Sequence, residues 1–234
     1  MTDIGFAPNY THLYEVDITP DADAPTWARV GAGINKMEPD GNEDVDQSSY
    51  YDCDGGKDSQ VTGGQMVISV TGHRCYGDPF QDWCASVQLS YGSARRTKMR
   101  MTNPDGEVVE ANVTVANIKA FGANGEATDK GDFECELQFN GSPTITEPTG
   151  DVLPKTVTVQ DVTVSVGKTA NVSPTVTPSD ASQRCVFAVA DRAIATVSSD
   201  GVVTGVEAGE TKLSVKAAAK PSAVAVANVT VTSA

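Results

Sequence analysis

The sequence predicts a mainly β protein in two parts: an N-terminal β-barrel or β-sandwich with one packed α-helix, and a C-terminal β-sandwich. Three observations predict this class. Most segments of the 234-residue chain alternate apolar and polar residues, which is the period of a half-buried strand. Only residues 78–92 have the spacing of an amphipathic helix. Residues 140–154 are rich in proline and short polar residues, which is typical of a linker.

Strands dominate the predicted front part. Alternating residues mark each strand, and turn residues such as Pro104, Asp105 and Gly106 separate neighbouring segments. In the last segment the apolar members of the alternation are Phe133, Cys135, Leu137 and Phe139. The predicted strands lie at residues 12–18, 26–34, 65–77, 95–103, 107–121 and 131–139.

Residues 35–65 separate the second and third of these strands and are rich in Asp, Gly and Ser. They predict a long loop, with at most one short strand at residues 48–53. Asp40, Asn42 and Asp44 fit the first three positions of a calcium-binding EF-hand loop. However, Val45 stands where that loop requires glycine, and Tyr51 where it requires glutamate. The pattern therefore favours a solvated acidic loop over a calcium site.

Residues 78–92 are predicted to form a helix. Asp78 is placed to cap the first turn, Pro79 suits its first position, and Gly92 can end it. The apolar residues at helical spacing are predicted to face the core, and they are Phe80, Trp83, Cys84 and Val87.

No catalytic, cofactor-binding or metal-binding constellation is predicted, so the protein is expected not to be an enzyme. His12 and His73 are the only histidines, and neither adjoins a nucleophile motif. The spacing of Cys75 and Cys84 is not that of zinc ligands.

Export and membrane insertion are likewise not predicted. The chain starts without a basic and apolar leader, and no apolar run approaches the roughly 18 residues that span a bilayer. The cysteines are therefore expected to stay thiols in a reducing cytoplasm, and they are Cys53, Cys75, Cys84, Cys135 and Cys185.

Charge divides the chain near the linker. Residues 1–148 carry 24 acidic and 10 basic residues, whereas residues 149–234 carry 7 of each. The net charge of −14 therefore lies in the front part. Nucleic-acid binding normally requires a basic surface that neutralises phosphates, so ordinary DNA or RNA binding is disfavoured. We predict domains at 1–142 and 155–234, joined by a linker at 143–154.

The back part resembles the bacterial Ig-like domain of the group 2 type. The matching features are Gly167 after a strand, Pro178, the segment "IATV", and then "DGVVTG" and "EAGETKLSV". Asp200 and Gly201 are expected to make a tight hairpin, and Leu213 and Val215 to face the core. Phe187 is a further core candidate, near the position where the family usually has tryptophan. The alternation of valines changes phase after Val159 and again after Val226, which predicts a bulge or a change of sheet.

The front part is similar in its order of elements to the major tail tube proteins of long-tailed, non-contractile (siphovirus-type) bacteriophages. The similarity is carried by an early strand pair containing "TWARVGAGI", a long polar loop, a "DPFQDW" helix, a basic strand and an "NPDG" hairpin. It implies a structural virion protein that forms rings, expected to be hexameric. The rings would stack through the long loop into a tube that conducts DNA during genome ejection, with the Ig-like domain outside.

The same resemblance implies partners and a location. Copies of the chain itself, tape-measure and terminator proteins are expected as partners, while DNA passes through the lumen without specific binding. The protein would reside in the phage tail, and in the host cytoplasm before assembly. The Ig-like domain would make at most weak contact with host-surface glycans. The acidic residues expected to stack the rings are Glu38, Asp40, Glu43, Asp44, Asp46, Asp52, Asp54 and Asp58.

Two other functions compete with this interpretation. A bacterial surface or adhesin-type protein could combine a ligand-binding front domain with an Ig-like spacer, although no export signal is predicted. An enzyme with an Ig-like accessory module is the second, although no catalytic constellation supports it.

Overall fold

The computed structural model confirms a mainly β protein, with one α-helix among the residues it describes. Those residues form two compact units. One unit contains residues 14–100 and 109–144, and the other contains the described residues up to 13, 101–108 and those from 145 onward. The described residues are 7–124, 126–146, 152–198 and 200–233, without the side chain at position 53.

Six front strands lie within the predicted segments and are shorter than predicted, most of all β2, whereas β3, β4, β5 and β10 were not predicted as strands. Eight of the front strands form one sheet, and β4 and β5 form a separate two-stranded sheet. Their bounds are β1 Leu13–Asp17, β2 Trp27–Arg29, β3 Ile34–Asp40, β4 Glu43–Ser49, β5 Lys57–Gly64, β6 Val67–His73, β7 Arg96–Thr102, β8 Val108–Lys119, β9 Asp132–Phe139 and β10 Thr144–Thr146.

The order of the strands forces the large sheet to curl. Its path is β2-β1-β7-β8-β9-β6-β3, with β10 paired to β8. Laid flat, seven strands would place β2 and β3 about 29 Å apart, at about 4.8 Å per strand. However, β2 ends at Arg29 and β3 begins at Ile34, and five Cα steps reach at most about 18 Å. The two ends of the sheet must therefore approach each other, as they do in a barrel.

The helix α1 spans Pro79–Val87. It starts as predicted, because the Asp78 carboxylate accepts a hydrogen bond from the backbone N–H of Gln81 at 3.0 Å. It ends earlier than predicted, and a short 3-10 helix follows at Gly92–Arg95. The predicted apolar face is only partly buried: Phe80 and Cys84 are buried, while Trp83 and Val87 are half-buried.

Gln81 ties α1 to the region where the ends of the sheet approach each other. Its side chain is fully buried. Nε2 donates to the carbonyl oxygens of Ala32, at 2.7 Å, and His73, at 3.3 Å, while Oε1 accepts from the Cys75 N–H at 2.7 Å. Ala32 lies between β2 and β3, and His73 ends β6. One buried amide therefore holds the helix against both chain segments.

Residues 35–65 do not form the predicted loop. They belong to a long hairpin whose root is the antiparallel pair β3–β6 and whose outer part is the pair β4–β5. A 3-10 helix at Tyr51–Cys53 stands where a short strand was predicted. The loop prediction was wrong because strands are recognised by a buried apolar face, and β4 and β5 have none.

The C-terminal module packs a four-stranded sheet, β12-β19-β18-β15, and a three-stranded sheet, β13-β17-β16, with a short pair β11–β14. The phase change after Val159 is a change of partner, because β11 pairs with β14 whereas β12 pairs with β19. The strand bounds are β11 Thr156–Thr158, β12 Val162–Ser165, β13 Thr169–Asn171, β14 Thr175–Thr177, β15 Cys185–Val189, β16 Ala195–Val197, β17 Val202–Gly205, β18 Gly209–Ala217 and β19 Lys220–Thr232.

The core of this module confirms part of the prediction. Leu213 and Val215 are fully buried, and Phe187 packs half-buried against the same cluster. The phase change predicted after Val226 is wrong, since β19 keeps one alternation throughout. Its inward residues between Ser222 and Val229 are alanines, and Val224 and Val226 stand on the exposed face.

The unit that holds this module also includes segments from earlier in the chain. Lys216 is buried, and its ammonium group lies 5.6 Å from the centre of the Tyr10 ring. Ser222 donates from Oγ to the Pro104 carbonyl at 3.2 Å. The domain limits 1–142, 143–154 and 155–234 stay a prediction, and residues 147–151 of the linker lie outside the described residues. Within the described ranges, no helix has the length and apolar character needed to cross a membrane.

Candidate functional site

The outer part of the long hairpin, residues 43–64, projects from the front sheet, and we refer to it as the arm. All described residues of β4 and β5 are exposed except Ser48, which is half-buried. A bend at Asn42 separates the arm from its root. Asn42 has a positive φ of 39°, its N–H bonds the Asp40 carboxylate at 3.1 Å, and its side-chain amide donates to the Gln65 carbonyl at 3.3 Å.

Strand alternation gives the arm two different faces. Successive side chains of a strand point to opposite sides. Asp46 lies opposite Gln60, and Ser48 lies opposite Asp58, so the face that carries Asp46, Asp58 and Asp44 is acidic. The other face carries the directly paired Val45 and Val61.

The acidic face and the valine pair are both open to solvent. Val45 and Val61 are 49% and 56% exposed. Asp44, Asp46 and Asp58 of the acidic face form no salt bridge with other described residues. Lys57 is the arm's single basic residue, and its ammonium group donates to Gln47 at 3.1 Å.

The tip of the arm combines aromatic and acidic residues. Tyr50 and Tyr51 are exposed, and Tyr51 is fully so. Asp52 follows in the 3-10 helix, and Asp54 has a left-handed backbone with φ 49°. Among the predicted stacking residues, Glu43, Asp44, Asp46, Asp52, Asp54 and Asp58 therefore lie on the arm.

The other two predicted residues, Glu38 and Asp40, lie on the root. Their register places Glu38 beside Ser69 of β6, which in turn lies beside Glu136 of β9. This face is opposite the buried side chains of Ile68, Val70 and Leu137. Glu134 and Glu136 share it, so the root carries a second acidic face. The sequence contains these glutamates between the apolar residues of β9, but only the strand register shows that they join Glu38.

A basic surface lies on β7 and was not predicted as a functional site. Arg96 and Lys98 alternate with the buried Thr97 and Met99, so both cations point outward. An open cavity of about 480 Å³ adjoins them and is lined by Tyr91, Gly92, Ser93, Arg95, Arg96 and Thr114. The run "RRTKMR" is the signal in the sequence.

The four cations of this run have different surroundings. Arg95 donates to the carbonyls of Gln88 and Ser90. Arg100 pairs with the buried Glu15 and lies over Trp27, 4.4 Å from its ring centre. Arg96 and Lys98 are both exposed, and within the described part of the chain their side chains form no hydrogen bond or salt bridge.

Metal sites and reactive thiols are two further possibilities for the described residues. Within the described residues, no group of three His, Cys, Asp or Glu could hold a metal ion. The four cysteines with described side chains are free thiols. Burial raises the pKa of the Cys84 thiol well above its usual value, and a hydrogen bond with Cys135 is the second cause of this rise. This thiol is therefore kept protonated and unreactive.

Comparison with known proteins identifies the C-terminal module. Residues 151–227 match the family described as bacterial Ig-like domain (group 2). The module is therefore Ig-like, as its sequence predicted. No curated protein matches the chain.

Several solved structures are similar to about three fifths of the chain. One belongs to the tail of an empty gene transfer agent (GTA) particle with C6 symmetry, at a TM-score of 0.49 and 13% identity, covering 61% of this chain and 100% of that one. A chain of a native GTA virion has a TM-score of 0.48 and 12% identity, and the match covers 61% of this chain and 100% of that one. A chain of the anti-feeding prophage cap has a TM-score of 0.39 and 13% identity, and the match covers 62% of this chain and 94% of that one.

Proposed function

We propose that this chain is a structural protein of a siphovirus-type bacteriophage tail. Its copies form closed, hexameric rings that stack through the arm into a tube, with the Ig-like module displayed outside. In the virion the tube contacts tape-measure and terminator proteins and conducts DNA during ejection. Before assembly the subunits reside in the host cytoplasm. The projecting arm is the observation that carries this proposal.

The arm supports self-assembly because a hairpin that projects alone into solvent is stabilised by little buried surface. A two-stranded hairpin is marginally stable in water unless it packs on further structure. Each strand of the arm extends about 23 Å, at about 3.3 Å per residue, without one buried side chain. A neighbouring copy would cover the valine pair and the tyrosines at the tip. The arm is then a connector between subunits.

The acidic face of the root supports a channel for DNA. Glu38, Asp40, Glu134 and Glu136 point away from the core. Among the described residues only two lysines form salt bridges with this set, Lys36 with Glu38 and Lys119 with Glu134. A channel wall of this sign repels phosphate and lets DNA slide, whereas a basic wall would hold it through many contacts. We therefore assign this face to the channel.

The experiment compares the full chain with a variant that lacks the arm. Replacing residues 43–64 by Gly-Gly joins Asn42 to Gln65, which already touch through a hydrogen bond. The wild type is expected to form uniform hollow tubes or stacked rings in negative-stain electron micrographs. The variant is expected to retain the tryptophan emission of the wild type, because both tryptophans lie outside the deleted segment, but to form no tubes.

Two results would contradict the proposal separately. A wild-type chain that stays monomeric at every concentration and salt tested would overturn the tail-tube function. If the arm-less variant builds tubes as readily as the wild type, the tube function stands and the arm is not its connector.

A further inference from the structure

We propose that the arm docks on the basic surface of β7 in a second copy of this chain, with its tip in the cavity beside Arg96. This inference rests on the proposed function and names the surface that receives the connector. The observation behind it is that the arm and the basic surface of β7 are complementary in charge, both have exposed apolar side chains, and neither is covered by other described residues.

The receiving surface is built from a short stretch of chain. Arg96 and Lys98 lie two residues apart on the outward face of β7, about 7 Å from each other. Leu89 and Tyr91 are 74% and 86% exposed at the start of the same stretch. Residues 89–102 contain four basic and no acidic residues, in a front part whose net charge is strongly negative.

The arm has the complementary composition. It carries six acidic residues and one basic residue, and its acidic face ends near Tyr50 and Tyr51. Aromatic residues are enriched in interface cores, while charged residues surround them at the rim. Tyrosines of the tip against Leu89 and Tyr91, with Asp46 and Asp58 near Lys98 and Arg96, would reproduce that arrangement.

Docking within one subunit does not account for the two surfaces. The arm extends away from its own sheet, and Arg96 and Lys98 form no salt bridge with any described residue of the same chain. Opposite charges on two copies steer them together and disfavour wrong registers. Since exposed charges are screened within about 8 Å at physiological ionic strength, the contact is expected to weaken with salt.

A charge-swap experiment tests this contact directly. The full chain carries R96E/K98E, or D46K/D58K on the arm, or all four substitutions together. The matched control is K130E/K168E, which changes two other exposed lysines and shifts the net charge by the same amount as R96E/K98E. Assembly is followed by sedimentation and electron microscopy at low and high salt.

Each double variant is expected to raise the concentration needed for assembly at least about tenfold, because every exposed pair turns from attraction to repulsion. The fourfold variant recovers assembly, and K130E/K168E assembles like the wild type. If R96E/K98E forms tubes as readily as the wild type does, this contact is overturned and the tube function stands. Failure of the wild type itself to assemble would instead overturn the tube function.

The competing occupant of the basic surface is DNA, and the same variants distinguish it. Fluorescence anisotropy with a labelled duplex is measured for the wild type and R96E/K98E. DNA binding that is lost in R96E/K98E while assembly is unchanged would assign the surface to nucleic acid and overturn the docking proposal. No difference in DNA binding, together with lost assembly, supports docking.

Discussion

The ring of Phe187 lies directly against Gly201 in the Ig-like module. A Cβ atom added at Gly201 would stand 2.8 Å from Cζ of Phe187, and the backbone there has a φ of 80°. The Gly201 N–H also closes the predicted turn by donating to the Ser198 carbonyl at 3.1 Å. The hairpin glycine is therefore required twice, for its backbone conformation and for the space that the aromatic ring occupies.

We expect Gly201→Ala to destabilise the module by about 3 kcal/mol, from the left-handed backbone and the displaced ring together. Gly167→Ala is the control, because Gly167 has a similar φ of 73° with nothing within 4 Å of the added Cβ, so it should cost about 1 kcal/mol. Calorimetry of the full chain measures both. Equal costs for the two variants would show that the contact with Phe187 contributes nothing.

Gln81→Met is expected to destabilise the front unit by about 3 kcal/mol. Methionine fills a similar volume but leaves the half-buried N–H of Cys75 and the half-buried carbonyl of Ala32 without their partner, and an unsatisfied buried group costs about 1–3 kcal/mol. Denaturant unfolding followed by tryptophan emission measures the loss, since Trp83 lies on the same helix. Gln60→Met, on the exposed arm, is the control and should change little; a comparable loss there would remove the special role of Gln81.

Much of the fold could be predicted because burial leaves a period in the sequence. In β9 every second residue is buried, and in α1 the cap Asp78 and the buried Phe80 and Cys84 stand at helical positions. The arm could not be predicted in this way, since strands exposed on both faces leave no apolar alternation. In β19 the inward residues are small, so the exposed Val224 and Val226 indicated the wrong face.

The candidate site could be predicted as a set of residues but not as surfaces. The eight acidic residues were named from composition, which does not contain the strand register. The register separates Glu38 and Asp40 on the root from Asp46 and Asp58 on the arm. It also joins Glu38 to Glu136, which is 98 positions away in the chain. Long-range pairing of this kind depends on the whole topology rather than on local residues.

Stability of the front unit is expected to fall above about pH 8.5, the ordinary pKa of a thiol. Burial, together with the neighbouring Cys135, raises the pKa of Cys84 in the folded chain. The neutral thiol therefore stabilises the fold fully below the pKa that Cys84 has in the unfolded chain. As the pH rises from there toward the higher pKa of Cys84 in the folded chain, stability falls by about 1.4 kcal/mol per pH unit. Denaturant unfolding between pH 7.5 and about 9.5 measures this slope. Cys84→Ala should have a shallower slope, and identical slopes would contradict the assignment.

The arm is expected to exchange its amide hydrogens quickly in the free subunit and slowly in the assembled tube. Residues 37–59 bury too little apolar surface to order themselves strongly, but Met37–Asp40 pair with β6 and should already be protected. The change should therefore concentrate in residues 43–59. Hydrogen exchange with peptide resolution on subunit and tube measures it, and β9, inside the large sheet, is the internal control with equal protection in both states. Since assembly would cover the arm and leave β9 as it is, equal protection of the arm in subunit and tube would exclude it as the connector.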